Sequence, residues 1–161
     1  MNNQPIFPRI HMSYYVSNIE ATIDFYTKFF ETEPNKVKEG YAKFLVNEPS
    51  LNISFIENKE AIKNDGAHFG IEVNDPEILK QKLGNAMHHN LPIDREKDVT
   101  CCYAKQDKFW VTDPDGYRWE VYQFIEDREK LASDAKPQQV GSDNATCCAP
   151  LSEEASLTFS K

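Results

Sequence analysis

The feature that most limits how this chain can fold is that it starts twice. HMSYYVSN begins at His11 and HFGIEVND begins at His68, an offset of 57 residues. In each stretch the histidine stands five residues ahead of a valine, Val16 or Val73. The likeness is one of pattern more than identity. Repetition of this kind points to two copies of one supersecondary unit packed around a shared core.

The first unit reads as β-α-β-β(-β) and the second as β-α-β-β-β. Residues 8–16 alternate Ile10, Met12, Tyr14 and Val16 with His11, Ser13 and Tyr15, a strand pattern. Ser17 followed by Glu20 fits a capping box, and Ile19, Ile23, Tyr26 and Phe30 recur at helical spacing, predicting a helix over 18–30. Pro34 and Gly40 punctuate a connection, and 42–46 and 51–57 read as a hairpin around Asn47–Ser50. The polar stretch 58–66 is a linker. The pattern then restarts with a strand at 67–73. Asp75 is an N-cap and Pro76 a first helical residue, and Ile78, Leu79, Leu83 and Met87 form an apolar stripe. Strands are expected around 99–105, 107–112 and 118–124, the last two separated by the turn Asp113-Pro114-Asp115-Gly116. The fold class is α+β. From about Glu126 the composition turns to Ser, Ala, Asp, Glu, Lys and Gln without periodicity. Residues 127–161 are expected to form a mobile tail, with one short helical turn near 126–132.

The 161 residues suffice for one core without staples. A net charge of −8 argues against nucleic acid or an anionic membrane surface as partner. No apolar run is long enough to span a bilayer, and MNNQPIFPR has no apolar core of a signal peptide, so a cytoplasmic protein is expected. The four cysteines form two adjacent pairs, Cys101-Cys102 and Cys147-Cys148. In a reducing compartment such thiols are free or bind something.

His11 and His68 occupy the same place in the two repeats, and a pseudo-twofold axis would bring them together. Glu120 lies in RWEVYQF and shares a face with Tyr122 and Phe124, while Trp119 and Val121 face the other way. A carboxylate on so apolar a strand needs a partner, because burying it alone costs several kcal/mol. Two imidazoles and one carboxylate form a facial set with about three open positions, suited to non-haem Fe(II) and O2 chemistry, although Mn, Ni, Co or Zn can occupy it. His88 and His89 read as a solvated helix end. Cys101 and Cys102 begin a strand or precede it. Neighbours on a regular strand face opposite ways, so the two sulfurs grip one atom only from a loop or bulge. Lys105 and Lys108 would favour thiolate, and thiolates select soft, thiophilic centres. The competing reading is that one cysteine is a small hydrophobe and the other incidental.

The paired βαβββ units with His11, His68 and Glu120 resemble the vicinal oxygen chelate superfamily, which includes glyoxalases, fosfomycin-resistance proteins and extradiol dioxygenases. FPRIHMSYYVSNIEATIDFYTKFFETEP, GYAKF, GAHFGIEV and above all TCCYAKQDKFWVTDPDGYRWEVY look like the ArsI-type carbon–arsenic lyases and the related cadmium-induced proteins. The resemblance covers residues 7–125. It implies a domain over 7–126, with modules at 7–57 and 67–125 forming a cupped mixed β-sheet. It also implies an Fe(II)-dependent, O2-using enzyme that cleaves the carbon–arsenic bond of trivalent organoarsenicals to arsenite. Residue by residue, His11, His68 and Glu120 would hold iron, and Cys101 and Cys102 the arsenic. Trivalent arsenic is soft and takes two bonds from a dithiol, leaving its carbon substituent third. Tyr103, Phe109, Trp110 and Tyr122 are candidate walls, each otherwise a core residue, and Lys105 is a candidate for orienting an oxygen ligand.

Three functions compete: the lyase, a fosfomycin-type thiol transferase or glyoxalase of the same fold, and a non-catalytic arsenite- or cadmium-binding protein. A glyoxalase-type site wants a fourth ligand, for which LNISFIE offers only Glu57, Asn52 or Ser54. Either a monomer or a homodimer is compatible with two modules in one chain.

Overall fold

The computed structural model describes residues 7–64, 66–101 and 104–127, and of residues 96–101, 104–106 and 126–127 the backbone alone. Each half of the described chain builds one four-stranded sheet with one helix. The first half runs β1 (Ile10–Val16), α1 (Ile19–Phe30), β2 (Lys36–Lys38), β3 (Tyr41–Val46) and β4 (Leu51–Glu57). The second runs β5 (His68–Val73), α2 (Pro76–His88), β6 (Ile93–Cys101), β7 (Ala104–Thr112) and β8 (Arg118–Asp127). The sheet orders are β1-β4-β3-β2 and β5-β8-β7-β6, so the repeat read from the sequence is a repeat of topology. In both, the first strand lies parallel to the last, and the other pairs are antiparallel. That parallel pair needs a crossover, which the helix between the first and second strands provides.

Three boundaries differ from expectation. The cap of α1 is Asn18, whose side chain accepts the Ala21 N–H at 2.8 Å, while the backbone N–H of Ser17 donates to the Asp115 carboxylate at 3.0 Å. Asn and Ser both cap well, and the long-range bond to Asp115 decides between them. β6 begins at Ile93, well before the expected 99, because Asp94, Arg95, Glu96, Lys97 and Asp98 hide the strand from hydropathy. Its pairing with β7 supplies the order instead. Glu126 and Asp127 close β8 and are not helical, and residues 128–161 lie outside the described residues. By contrast, Asp75 caps α2 as expected, accepting the Glu77 N–H at 2.8 Å with Pro76 in the first turn.

The two sheets face one another across the core, with the helices between them. Tyr14 of β1 lies edge-on to Phe55 of its own sheet at 5.1 Å and stacks on Phe69 of β5 at 5.6 Å. Phe30 of α1 reaches both sheets, with ring centroids 6.3 Å from Phe44 and 5.5 Å from Trp119. Were the sheets joined edge to edge at β1 and β5, β3 and β8 would stand roughly 19 Å apart, too far for one ring to bridge. The inner faces therefore carry Tyr14, Val16, Phe44, Phe55, Ile71, Trp119 and Val121. Alternation then sends His11, Ser13 and Tyr15 to one outer face, and His68, Gly70, Glu72 and Glu120 to the other.

A polar knot ties the halves inside this core. The Tyr26 hydroxyl donates to Asp113 Oδ2 at 2.8 Å and accepts the Trp119 indole N–H at 3.0 Å, and the Tyr14 hydroxyl bonds to it as well. Asp113 also accepts the N–H groups of Asp115 at 3.0 Å and Tyr117 at 2.8 Å, closing the turn in which Gly116 takes a φ of 83°. Burial pushes the Tyr14 and Tyr26 phenols well above their ordinary value. Burial also raises the Asp113 carboxyl, against the hydrogen bonds from Tyr26 and the turn that pull it down.

Candidate metal centre

Strands β5 and β8 run side by side with Gly70 opposite Glu120 and His68 opposite Arg118. This register sets His68 one pleat from Glu120 on the same face, and His68 Nε2 lies 3.6 Å from Glu120 Oε1. Position 70 makes room for the contact. A Cβ there would sit 3.2 Å from both Cγ and Oε1 of Glu120 and 3.3 Å from Cε1 of Tyr122. A glycine inside a strand signals a close approach of this kind, and that signal was available in the sequence.

Strand β7 supplies the rest of the wall. Trp110 pairs with Glu120 and Lys108 with Tyr122, so both side chains share the outer face of Glu120. The Lys108 side chain is 0% exposed, and its Nζ lies 3.5 Å from Glu120 Oε2 and 4.7 Å from the Trp110 ring centre. The Arg118 guanidinium carbon stands 4.1 Å over the same indole, and the His68 ring meets it edge-on at 5.3 Å. Trp110 is thus sandwiched among cations and an imidazole, an arrangement its π-face stabilises. The Tyr122 hydroxyl donates to Glu72 at 3.1 Å, and burial, then this bond, raises its pKa.

The donor set fits a divalent cation. An imidazole nitrogen and a carboxylate oxygen, 3.6 Å apart on one face of the sheet, match the span between two ligands of one ion. The Lys108 ammonium already answers the carboxylate with positive charge. Among the described residues no three His, Cys, Asp or Glu side chains gather in one place. His11 is exposed on the outer face of the other sheet, opposite Asn52 in register.

The remaining expected residues divide. Of the candidate walls, Trp110 and Tyr122 stand on the face of Glu120, while Phe109 belongs to the core. Cys101 ends β6, its backbone paired with Ala104, six residues before Trp110 on β7. At the rise of a strand, that is about 20 Å along the sheet from Glu120. Cys102 and Tyr103 lie outside the described residues, as do Cys147 and Cys148, and Lys105 is described by its backbone alone. Two register irregularities, between Glu96 and Val99 and between Lys105 and Gln106, lie between the cysteine end and the sheet body. Such bulges bend a strand locally. His88 ends α2 exposed, with His89 at its C-cap.

Two βαβββ halves, each a four-stranded sheet with one helix and with a histidine and a carboxylate side by side on one of them, make a fold of the glyoxalase kind. This chain belongs to the glyoxalase/bleomycin resistance protein/dioxygenase superfamily, whose model it matches over residues 10–121. It is 38% identical over 144 residues to the trivalent organoarsenical cleaving enzyme of a Bacillus species, covering 87% of this chain and 89% of that one. It is 34% identical over 140 residues to the cadmium-induced protein CadI of Mycobacterium tuberculosis, covering 87% and 91%. To the metallothiol transferase FosB of Bacillus licheniformis it is 27% identical over 145 residues, covering 85% and 89%. Among solved structures, a glyoxalase/bleomycin resistance protein/dioxygenase from Alicyclobacillus acidocaldarius superposes with a TM-score of 0.62 at 13% identity, covering 77% of this chain and 96% of that one. Among the described residues no helix is long and apolar enough to cross a membrane.

Proposed function

We propose that this chain is an Fe(II)-dependent, O2-using lyase that cleaves the carbon–arsenic bond of trivalent organoarsenicals, releasing arsenite. The observation that carries the reading is the paired His68 and Glu120 beside buried Lys108 and Trp110, in a chain 38% identical to a trivalent organoarsenical cleaving enzyme. His68, Glu120 and His11 are the residues that would hold the iron, and Gly70 keeps the Glu120 carboxylate in place. Iron(II) with open positions supplies the activation of O2 that breaking a C–As bond requires. Trp110 and Tyr122 cover the face around the carboxylate and exclude water from it. Cys101 and Cys102 are the residues that would hold the arsenic as a dithiolate, and Tyr103 and Lys105 are the further candidates for contact with the substrate. The bulged stretch of β6 and β7 gives that end of the hairpin a place to bend toward Glu120. Clamping arsenic beside the metal makes the encounter intramolecular, an advantage of several kcal/mol.

The test is to incubate Fe(II)-loaded protein with methylarsonous acid in air and measure arsenite. Release of arsenite is expected. Bound substrate with no arsenite formed overturns the reading. Cys101→Ser and Cys102→Ser are each expected to lose arsenical binding while keeping Fe(II), and full activity in either sinks the clamp. The likeness to FosB supports a second reading, a thiol transferase on the same metal ligands. Thiol consumption with fosfomycin, unaffected by Cys101→Ser, would establish that one. Stoichiometric arsenite or cadmium binding without turnover would instead mark a sequestering protein.

A further inference from the structure

A lysine is an unfavourable choice for the wall of this site. The Lys108 side chain is 0% exposed, and an ammonium taken out of water loses hydration that an apolar side chain of similar volume never had. Its neighbour Trp110 is buried as well. Position 110 pairs with Glu120 and position 108 with Tyr122, so Lys108 reaches Glu120 along the diagonal of the ladder. Filling space does not call for a charge there.

The two oxygens of Glu120 have different surroundings. Oε1 faces His68, with Nε2 at 3.6 Å, and the bare backbone of Gly70, where a Cβ would stand 3.2 Å away. Oε2 faces the Lys108 ammonium at 3.5 Å. Arg118, the other cation over the Trp110 ring, pairs instead with Asp94 at 3.9 Å. A carboxylate that grips a cation with both oxygens takes two coordination positions, and one that uses a single oxygen takes one. With Oε2 turned to an ammonium, Oε1 is the oxygen left for an ion shared with His68.

We infer that Lys108 is a positioning residue that limits Glu120 to coordination through one oxygen, and so keeps a position on the metal open for substrate or O2. It acts by charge. The ammonium draws Oε2 away from the ion and leaves Oε1 on the side of His68. An apolar residue at 108 would let both oxygens close on the ion. The inference rests on Glu120 as a metal ligand, named under the proposed function, but not on the reaction.

The test uses the full chain with Mn(II) alone, and reads infrared difference spectra of metal-bound against metal-free protein. The gap between the asymmetric and symmetric carboxylate stretches widens when one oxygen binds a cation and narrows when both do. Bands lost in Glu120→Gln belong to Glu120. The wild type is expected to show a widened gap on adding Mn(II). Lys108→Met should narrow it, and Lys108→Arg, which keeps the charge, should leave it wide. A merely structural role would change how much Mn(II) binds without moving the gap. A narrowed gap in the wild type, a gap that stays wide in folded Lys108→Met, or one equally narrow in folded Lys108→Arg overturns the inference. The wild-type measurement decides even if the variants fail to fold. Glu120 bands that do not respond to Mn(II) remove the ligand set and this inference with it. A wide gap in a protein that releases no arsenite sinks only the lyase reading, and arsenite released by a wild type with a narrow gap sinks only this inference.

Discussion

A methyl group at position 70 would press directly on Glu120, at 3.2 Å from its Cγ and Oε1. Gly70→Ala is therefore expected to leave stability within about 1 kcal/mol, since the residue sits exposed in an ordinary strand. Mn(II) affinity should fall about 10-fold as the carboxylate shifts by some tenths of an ångström. Titration calorimetry on the folded variant checks this, and unchanged affinity would mean that the gap does not position Glu120. His68 and Glu120 were legible at this scale because strand alternation alone assigns their faces. Lys108 was not. In sequence it reads as a neighbour of the cysteine pair, whereas in the fold it lies 3.5 Å from Glu120. That contact depends on the pairing of β7 with β8, which no local pattern encodes.

Helix α1 shows how a correct element can carry a misplaced end. Its apolar residues fix the helix, but Ser17 and Asn18 are both good caps, and only the chain 98 positions further on, at Asp115, separates them. Asn18→Ala is expected to cost about 1 kcal/mol. Ser17→Ala should cost less than about 0.5 kcal/mol, because only its backbone N–H is engaged. Urea unfolding of the two variants makes the comparison, and equal losses would restore Ser17 as the cap. β6 failed to show in the sequence for a different reason. Its charged run from Asp94 to Asp98 has no alternation to read, and the strand exists because β7 holds it. The turn at Asp113–Gly116 was fully legible, yet its grip on Tyr26 was not.

At the scale of the whole molecule, the repeat predicted two equivalent halves but not which sides of them meet. Symmetry says that β1 and β5 correspond. The packing of Tyr14, Phe30 and Trp119 puts the faces that carry His11 and His68 back to back. That packing also sets a pH limit. The buried Tyr14 and Tyr26 phenols hold their protons more tightly folded than unfolded, where they titrate near 10. The folded state thus binds more protons above that point, and its stability falls as pH rises through the folded values. The urea midpoint should drop steadily above about pH 10. The Tyr14→Phe/Tyr26→Phe double variant, although less stable at neutral pH, should show a shallower decline. An equally steep decline in both proteins would assign the alkaline sensitivity elsewhere.

The Tyr26–Asp113 bond has a consequence for the order of synthesis. The first half leaves the ribosome with the Tyr26 phenol, the Phe29 and Phe30 rings of α1 and the Tyr14 ring all awaiting partners between Phe69 and Trp119. The N-terminal module accordingly cannot complete its packing as it emerges, and the chain must reach Trp119 before either half closes. A nascent chain arrested short of Asp113 should be cut readily by protease, and one extended past β8 should resist.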